Sequence, residues 1–231
     1  MILERLWVHL SLACLFCGAL LQVFILRVLV VVRPSAAQKW LLKLGEMCTM
    51  AQNPRFRFED WAPTFTSFAS IRAIGAHLWL SLGQEAFVGG EAPDSPVVTL
   101  EGNRSSILKH VNGEATQTVR ELVRDYSDAA DFLVVYVAEA HSTDGWAFSN
   151  NVDIKQHQTL GDRLSAAQVL VNLEPRCPVV VDEMSNVTAS KYGALPERLY
   201  VLQAGKVVYK GIIGPWGYDP SEVRSFLEKM K

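Results

Sequence analysis

Apolar residues crowd the front of the chain, and behind them the pattern changes period. Leu6 to Val32 reads LWVHLSLACLFCGALLQVFILRVLVVV, and Trp7 to Leu26 alone supplies about twenty residues without a charge, the span a bilayer core requires. This predicts a single transmembrane helix. A cleaved signal peptide fits less well, because its apolar region runs to about 7 to 15 residues and no small-x-small site closes this one before Arg33-Pro34. Gln38 to Met50 (QKWLLKLGEMCTM) then predicts a short amphipathic segment on the membrane surface, with Trp40 suited to the interface. Residues 52–66 (QNPRFRFEDWAPTFT) mix Pro, aromatic and charged side chains without a period and read as an ordered linker against the main domain. A turn cluster over Gly89 to Pro96 marks where compact structure begins. The expected organisation is an anchor over 1–33, a juxtamembrane linker over 34–88 and one domain over 89–231.

Within that domain, strand and helix patterns alternate. Val97 to Leu100 reads as a short strand, and Ala115 to Tyr126 (ATQTVRELVRDY) carries Val119, Leu122 and Val123 at helical spacing. Phe132 to Val137 (FLVVYV) is a continuous apolar run of the kind that forms a strand buried on both faces. Leu160 to Val171 is the next helix and Pro178 to Asp182 the next buried strand. Arg198 to Gln203 and Lys206 to Lys210 flank Ala204-Gly205, a two-residue hairpin turn. Pro220 to Met230 closes as a helix capped by Asp219. If one strand precedes the helix at 115, the order predicts an α/β, thioredoxin-like domain with helices on both faces of its sheet.

Charge and cysteine usage narrow the class. With 22 basic and 24 acidic residues, a net charge of -2 and 49% hydrophobic residues, the chain is neither disordered nor a basic nucleic-acid binder. Cysteines at 14, 17, 48 and 177 do not form a disulfide framework, which suits a reducing compartment. Cys14 and Cys17 have C-x-x-C spacing but lie inside the apolar run, where hydrocarbon disfavours a thiolate, so they read as two small apolar residues. Arg27, Arg33, Lys39 and Lys43 follow that run, and the positive-inside rule then places the following domain in the cytosol. The sequons at Asn103 and Asn186 are accordingly expected to stay bare.

Candidate chemistry is sparse. There is no metal-ligand spacing, P-loop, G-x-G-x-x-G or G-x-S-x-G. Glu139-Ala140-His141 lies just past the C-terminal end of FLVVYV, the edge at which open α/β sheets bind ligands. A carboxylate and an imidazole two residues apart on an extended segment face the same way and can serve one site, although a solvated strand end has the same spacing. By position alone, His157 is a loop histidine, Arg198 opens a strand and Cys177 begins another as a core thiol.

The segment Tyr136-Val137-Ala138-Glu139-Ala140-His141-Ser142-Thr143-Asp144-Gly145-Trp146 resembles the signature of the iodothyronine deiodinases. The resemblance continues through Ile154 to Gln158, Asp162-Arg163, Cys177 to Asp182, Tyr192-Gly193-Ala194, Glu197 to Val201 and Gly214-Pro215-Trp216. Asn53 to Phe56, Asp60 to Phe65, Trp146 to Phe148 and Asn150-Asn151 are most similar to the type I members. The resemblance implies a membrane-anchored, homodimeric selenoenzyme that reductively converts thyroxine to triiodothyronine. It implies no bound cofactor, a thiol reductant as co-substrate, and residence in plasma membrane or endoplasmic reticulum. It further implies that Glu139 and His141 are the acid pair, that His157 and Arg198 hold substrate, and that Cys177 resolves oxidised selenium.

The chain departs from that family at one place. The family's strand, its G-S-C-T-Sec-P-x-F loop and the start of the next helix should stand before TVRELVRDY, but Ile107 to Thr118 runs directly into it. About twenty residues, the selenocysteine among them, have no counterpart. The expected consequences are two half-sheets with unpartnered facing edges and a chain without its nucleophile. Three readings follow: an inactive splice form or gene-model artefact, a membrane-anchored dimer partner that modulates full-length enzyme, and a reductase working through Cys177 alone, which lacks the paired thiols such chemistry uses.

Overall fold

A computed structural model describes residues 2–46, 57–110, 122, 124–126, 130–214 and 217–230. The apolar front is one helix, α1 (Ile2–Val32), 31 residues long. At 1.5 Å per residue this reaches about 46 Å, more than the ~30 Å hydrocarbon layer. Its apolar side chains are largely exposed, Trp7, Leu21, Phe24 and Val31 among them, whereas Val23 and Leu26 are buried. A soluble core helix would show the reverse. Arg33 breaks the helix before α2 (Pro34–Glu46), which buries Ala37 and Leu41.

The stretch read as linker is more structured than its sequence suggests. Among its described residues, α3 (Phe58–Trp61) and a 3₁₀ turn (Ala62–Thr66) bury Trp61 and Phe65. α4 (Phe68–Ser81) follows, a helix that the periodicity does not announce because apolar residues lie all round it. Ser67 caps it by accepting the Ser70 N–H. α4 lies against α1 so closely that a Cβ on Gly75 would stand 3.2 Å from the Phe16 ring, and the Arg27 guanidinium sits 4.0 Å over the Phe68 ring.

Among the described residues, the rest contains two separate sheets and the helices beside them. β1 (Pro96–Thr99), β2 (Arg104–Ser106), β3 (Val134–Tyr136) and β4 (Val179–Asp182) form a mixed sheet in the order β2-β1-β4-β3. β1 is antiparallel to β4. β3 runs parallel to β4, with Val135 opposite Val180, and the crossover between them contains α5 (Leu160–Val171). Thr159 and Asp162 close the start of α5 as a reciprocal capping box. β5 (Tyr200–Gln203) and β6 (Lys206–Lys210) form the expected hairpin. Its turn residues Ala204 and Gly205 both have positive φ, 49° and 76°, which matches the twist of a two-residue hairpin. α7 (Pro220–Glu228) closes the chain, with Asp219 accepting the Ser221 N–H.

FLVVYV departs from expectation. Only Val134–Tyr136 pairs, and these residues are half-buried on both faces. The reason is position: β3 is the last strand of its sheet, and its outer side faces a cleft of about 740 Å³ whose far wall is β5. No described strand lies between the two. Alternation still links the sheets across the gap, because Leu133 and Val135 join Val97, Val180, Tyr200, Leu202 and Val207 in one apolar cluster. On the opposite face, Leu199 and Val201 pack instead on Val223 and Leu227 of α7. Of the helix expected over 115–126, Leu122 and Arg124 to Tyr126 are described and helical, and the rest lies outside the described residues.

Candidate functional site

The C-terminal end of β3 carries a chain of polar contacts. The Tyr136 hydroxyl donates to the Glu139 carboxylate, and burial together with that carboxylate pushes the phenol well above its ordinary value. Tyr136 also meets His157, ring centroids 5.9 Å apart. The loop bearing His157 is folded back by Thr143 N–H on the Ile154 carbonyl (2.9 Å) and Gln156 N–H on the Asp144 carboxylate (2.8 Å).

Behind these residues lies Arg163 of α5, 2% exposed. It donates to the Asp182 and Glu183 carbonyls, to Asn186 Oδ1 and, through Nε at 3.3 Å, to His157 Nδ1. Because Nδ1 accepts, the neutral His157 ring carries its proton on Nε2. Nε2 is buried without a hydrogen-bond partner. Burial, and then the Arg163 charge, holds His157 below its ordinary value, so the ring is a neutral donor. Asp182 anchors the other side, taking the Thr188 and Ala189 N–H groups at the start of α6 (Val187–Tyr192).

His141 stands in a different setting. Glu139 and His141 do not bond to each other, because the backbone bends at Ala140–His141 and turns the imidazole into an aromatic nest. The ring stacks on Phe148 at 3.7 Å and meets Trp146 edge-on at 4.6 Å. His141 Nδ1 lies 3.1 Å from the Trp146 carbonyl. A carbonyl only accepts, so Nδ1 carries the proton and Nε2 keeps the lone pair of a base. Burial lowers the His141 pKa to about 4 against the ordinary 6.5.

That shift has a measurable consequence. His77 of α4 is likewise held at about 4 by burial, whereas an unfolded chain titrates its histidines near 6.5. Between these values the unfolded chain binds more protons, so stability is level above about pH 6.5 and falls as pH drops toward 4. The unfolding midpoint should decline across that window, and His141→Gln should flatten part of the decline. A wild-type midpoint that stays level from pH 7 to 4.5 would rule this out.

Arg198 and Cys177 lie apart from these groups. Arg198 shares the cleft with Glu139 and Tyr136, but its Nε holds the Gly211 carbonyl at 2.8 Å and Nη1 holds the Gly193 carbonyl and Gln84 Oε1. Cys177 precedes β4 and lines a shallow hollow of about 290 Å³ with Thr99, His110 and Val171. It is at the N-terminal end of the parallel pair, opposite to Glu139 and His141. The supporting residues Arg163, Asp182 and Phe148 escape a reading by spacing, since each meets its partner only across a folded loop. The one local hint is Arg163 in the first turn of α5 beside its capping Asp162.

The sequence model of the family described as iodothyronine deiodinase matches residues 1–231. This chain belongs to the iodothyronine deiodinase family. It is 45% identical over 196 residues to the type I iodothyronine deiodinase of Xenopus laevis, covering 78% of each chain. It is 39% identical over 181 residues to the thyroxine 5-deiodinase of Gallus gallus, covering 70% of each. The thyroxine 5-deiodinase of Bos taurus is 38% identical over 182 residues, covering 71% of this chain and 60% of that one. The deiodinase family is one of oxidoreductases that use a reductant.

These lengths also register an internal gap. The 196 aligned positions of the Xenopus laevis relative take in 78% of 231 residues, about 180, so about 16 positions stand opposite no residue here. The Gallus gallus relative, 181 positions over 70% of this chain, leaves about 19.

Proposed function

We propose that this deiodinase keeps the substrate-holding half of a type I-like thyroxine 5'-deiodinase site and lacks the nucleophile that completes it. The observation that carries this reading is the cleft between β3 and β5, lined by Tyr136, Glu139 and Arg198, in a chain whose alignments leave about 16 to 19 family positions unmatched. In this reading the missing segment belongs at the 111–118 junction, and its strand joins β3, β4 and the β5–β6 hairpin into a thioredoxin-like sheet; the open edge of β3 and the β5 wall across the cleft support it. A cleft of this size falls within the range of about 300 to 1,000 Å³ that small ligands occupy.

In this reading Arg198 supplies positive charge on the cleft wall, and His157, whose Nε2–H is buried outside the cleft lining, offers that N–H to an oxygen of the iodothyronine once its loop moves. Glu139, held by Tyr136, orients the site, and His141 takes a proton from the reductant thiol on its Nε2 lone pair and passes it to the aryl carbon when iodine leaves. A thiol is the reductant, and no bound cofactor takes part. Cys177 stands before β4, at the end of the parallel pair away from Glu139, so a resolving role would need a rearrangement.

The exposed apolar surface of α1 supports a single-pass anchor in plasma membrane or endoplasmic reticulum, with the basic residues after it keeping the domain cytosolic. Homodimerisation belongs to this reading; the alternative is an inactive splice form or a membrane-anchored partner that dimerises with full-length enzyme and modulates it. To test the main reading, labelled thyroxine is titrated into the full chain in lipid nanodiscs. Saturable binding that Arg198→Met weakens at least tenfold is expected, and non-saturable partitioning equal in both proteins would remove the reading.

A further inference from the structure

The loop that carries His141 is clasped from outside the α/β domain. Trp146 Nε1–H donates to Thr64 Oγ1 at 3.1 Å, and Ser149 N–H donates to the Asp60 carbonyl at 2.9 Å. The Phe65 ring stands edge-on to Trp146 at 5.2 Å and parallel to Phe148 at 6.3 Å. Both residues so gripped act directly on the imidazole, Trp146 through its carbonyl and Phe148 through its stacked ring.

Thr64 is itself held. Its hydroxyl donates to the Trp61 carbonyl at 2.8 Å, which turns an oxygen lone pair toward the indole N–H. Trp61 is buried with Leu26 of α1 in the same apolar cluster as Trp146 and Phe148, and Arg27 Nε donates to the Thr66 carbonyl at 2.7 Å. A short path of contacts therefore runs from the end of the apolar helix, through residues 61–66, to the His141 ring.

We propose that Thr64 is a positioning residue for His141: by fixing Trp146 it fixes the carbonyl that receives Nδ1–H, so the segment 57–66 sets which imidazole nitrogen is the base. The role suits a hydroxyl, which accepts from Trp146 and donates to Trp61 at once. Valine has the same shape and does neither, and its presence would leave a buried indole N–H without an acceptor. Released from that carbonyl, the neutral ring is free to move its proton to Nε2, which would remove the lone pair used in chemistry. The inference rests on the proposed acid–base role of His141 only for its functional weight. The geometry stands without it.

The test uses the full chain in nanodiscs with ¹⁵N-histidine. Five histidines are present, and the His141 signals are assigned by their loss in His141→Gln. At pH 7 the wild type should show a protonated Nδ1 and an unprotonated Nε2. Thr64→Val should shift His141 alone toward the Nε2–H form, and Thr64→Ser should restore the wild-type pattern. Should Thr64→Val disturb the other histidines as well, Trp146→Phe, which removes the clasped N–H and keeps a smaller ring in the nest, decides in its place. His141 signals unchanged in whichever variant decides would overturn the proposal, as would failure of Thr64→Ser to restore them. A non-catalytic His141 is read separately, as iodide release that survives His141→Gln once the missing segment has been restored.

Discussion

Purified full-length chain, given thyroxine and dithiothreitol, is expected to release iodide no faster than a protein-free blank. The family's reaction as proposed here begins with attack by a nucleophile on iodine, and the pockets and contacts around Glu139 and Arg198 contain no thiol among the described residues; Cys177 is at the other end of β4. Loss of a covalent nucleophile costs on the order of 10⁶-fold in turnover where it has been measured, so residual activity should vanish into the background. Inserting the corresponding segment of the Xenopus laevis relative at the 111–118 junction should bring iodide release back, and removing the nucleophile from that insert should abolish it again. Steady release by the unmodified chain would sink the reading. Cys177→Ser would then show whether that thiol had taken the role.

The second large effect concerns Arg163, because it joins stability to the site. Its guanidinium is nearly inaccessible and supplies four acceptors: two carbonyls at the end of β4, the Asn186 side chain and His157. It also offsets Asp182, which is fully buried and whose carboxyl burial pushes above its ordinary value despite two backbone donors. Arg163→Met has a comparable volume but leaves those acceptors unpaired and the carboxylate without a counter-charge. Leaving buried polar groups unpaired costs about 1 to 3 kcal/mol, a sizeable share of a typical net stability of about 5 to 15 kcal/mol. Denaturant unfolding should show a loss of that size, with Arg163→Lys recovering part of it by keeping the charge without the fork. A loss below about 1 kcal/mol would mean that the acceptors find water instead.

Much of the fold is legible locally. The α5 helix, the β5–β6 hairpin and the α7 cap depend on residues within a few positions of one another: Thr159 with Asp162, Ala204 with Gly205, Asp219 with Ser221. Such signals survive in one dimension. α6 is a partial case, since its end is marked by Gly193 in the left-handed region, φ 54°, while its start depends on the carboxylate of Asp182 reaching back across the loop after β4. α4 gives no periodic signal because its apolar residues lie all round it: Phe68 and Trp79 are exposed, while Ala73 and Ile74 pack on the cluster of Trp61 and Phe65.

What the sequence by itself determined is therefore the inventory: an apolar helix of spanning length, an α/β set of elements, membership of the deiodinase family through the motif around Glu139 and His141, and a break in that family's pattern before Leu122. Tertiary structure decided how the inventory is used. It parted Glu139 from His141 by one backbone bend, joined Glu139 to His157 through Tyr136, gave most of the Arg198 hydrogen bonds to backbone carbonyls, and seated His141 against Trp146 and Phe148, which the segment after α1 holds in place. The physical reason is range. Turns, caps and periodicity are settled among near neighbours, whereas a buried imidazole takes its tautomer and its pKa from whichever groups exclude water around it, and Thr64 lies 82 positions from Trp146.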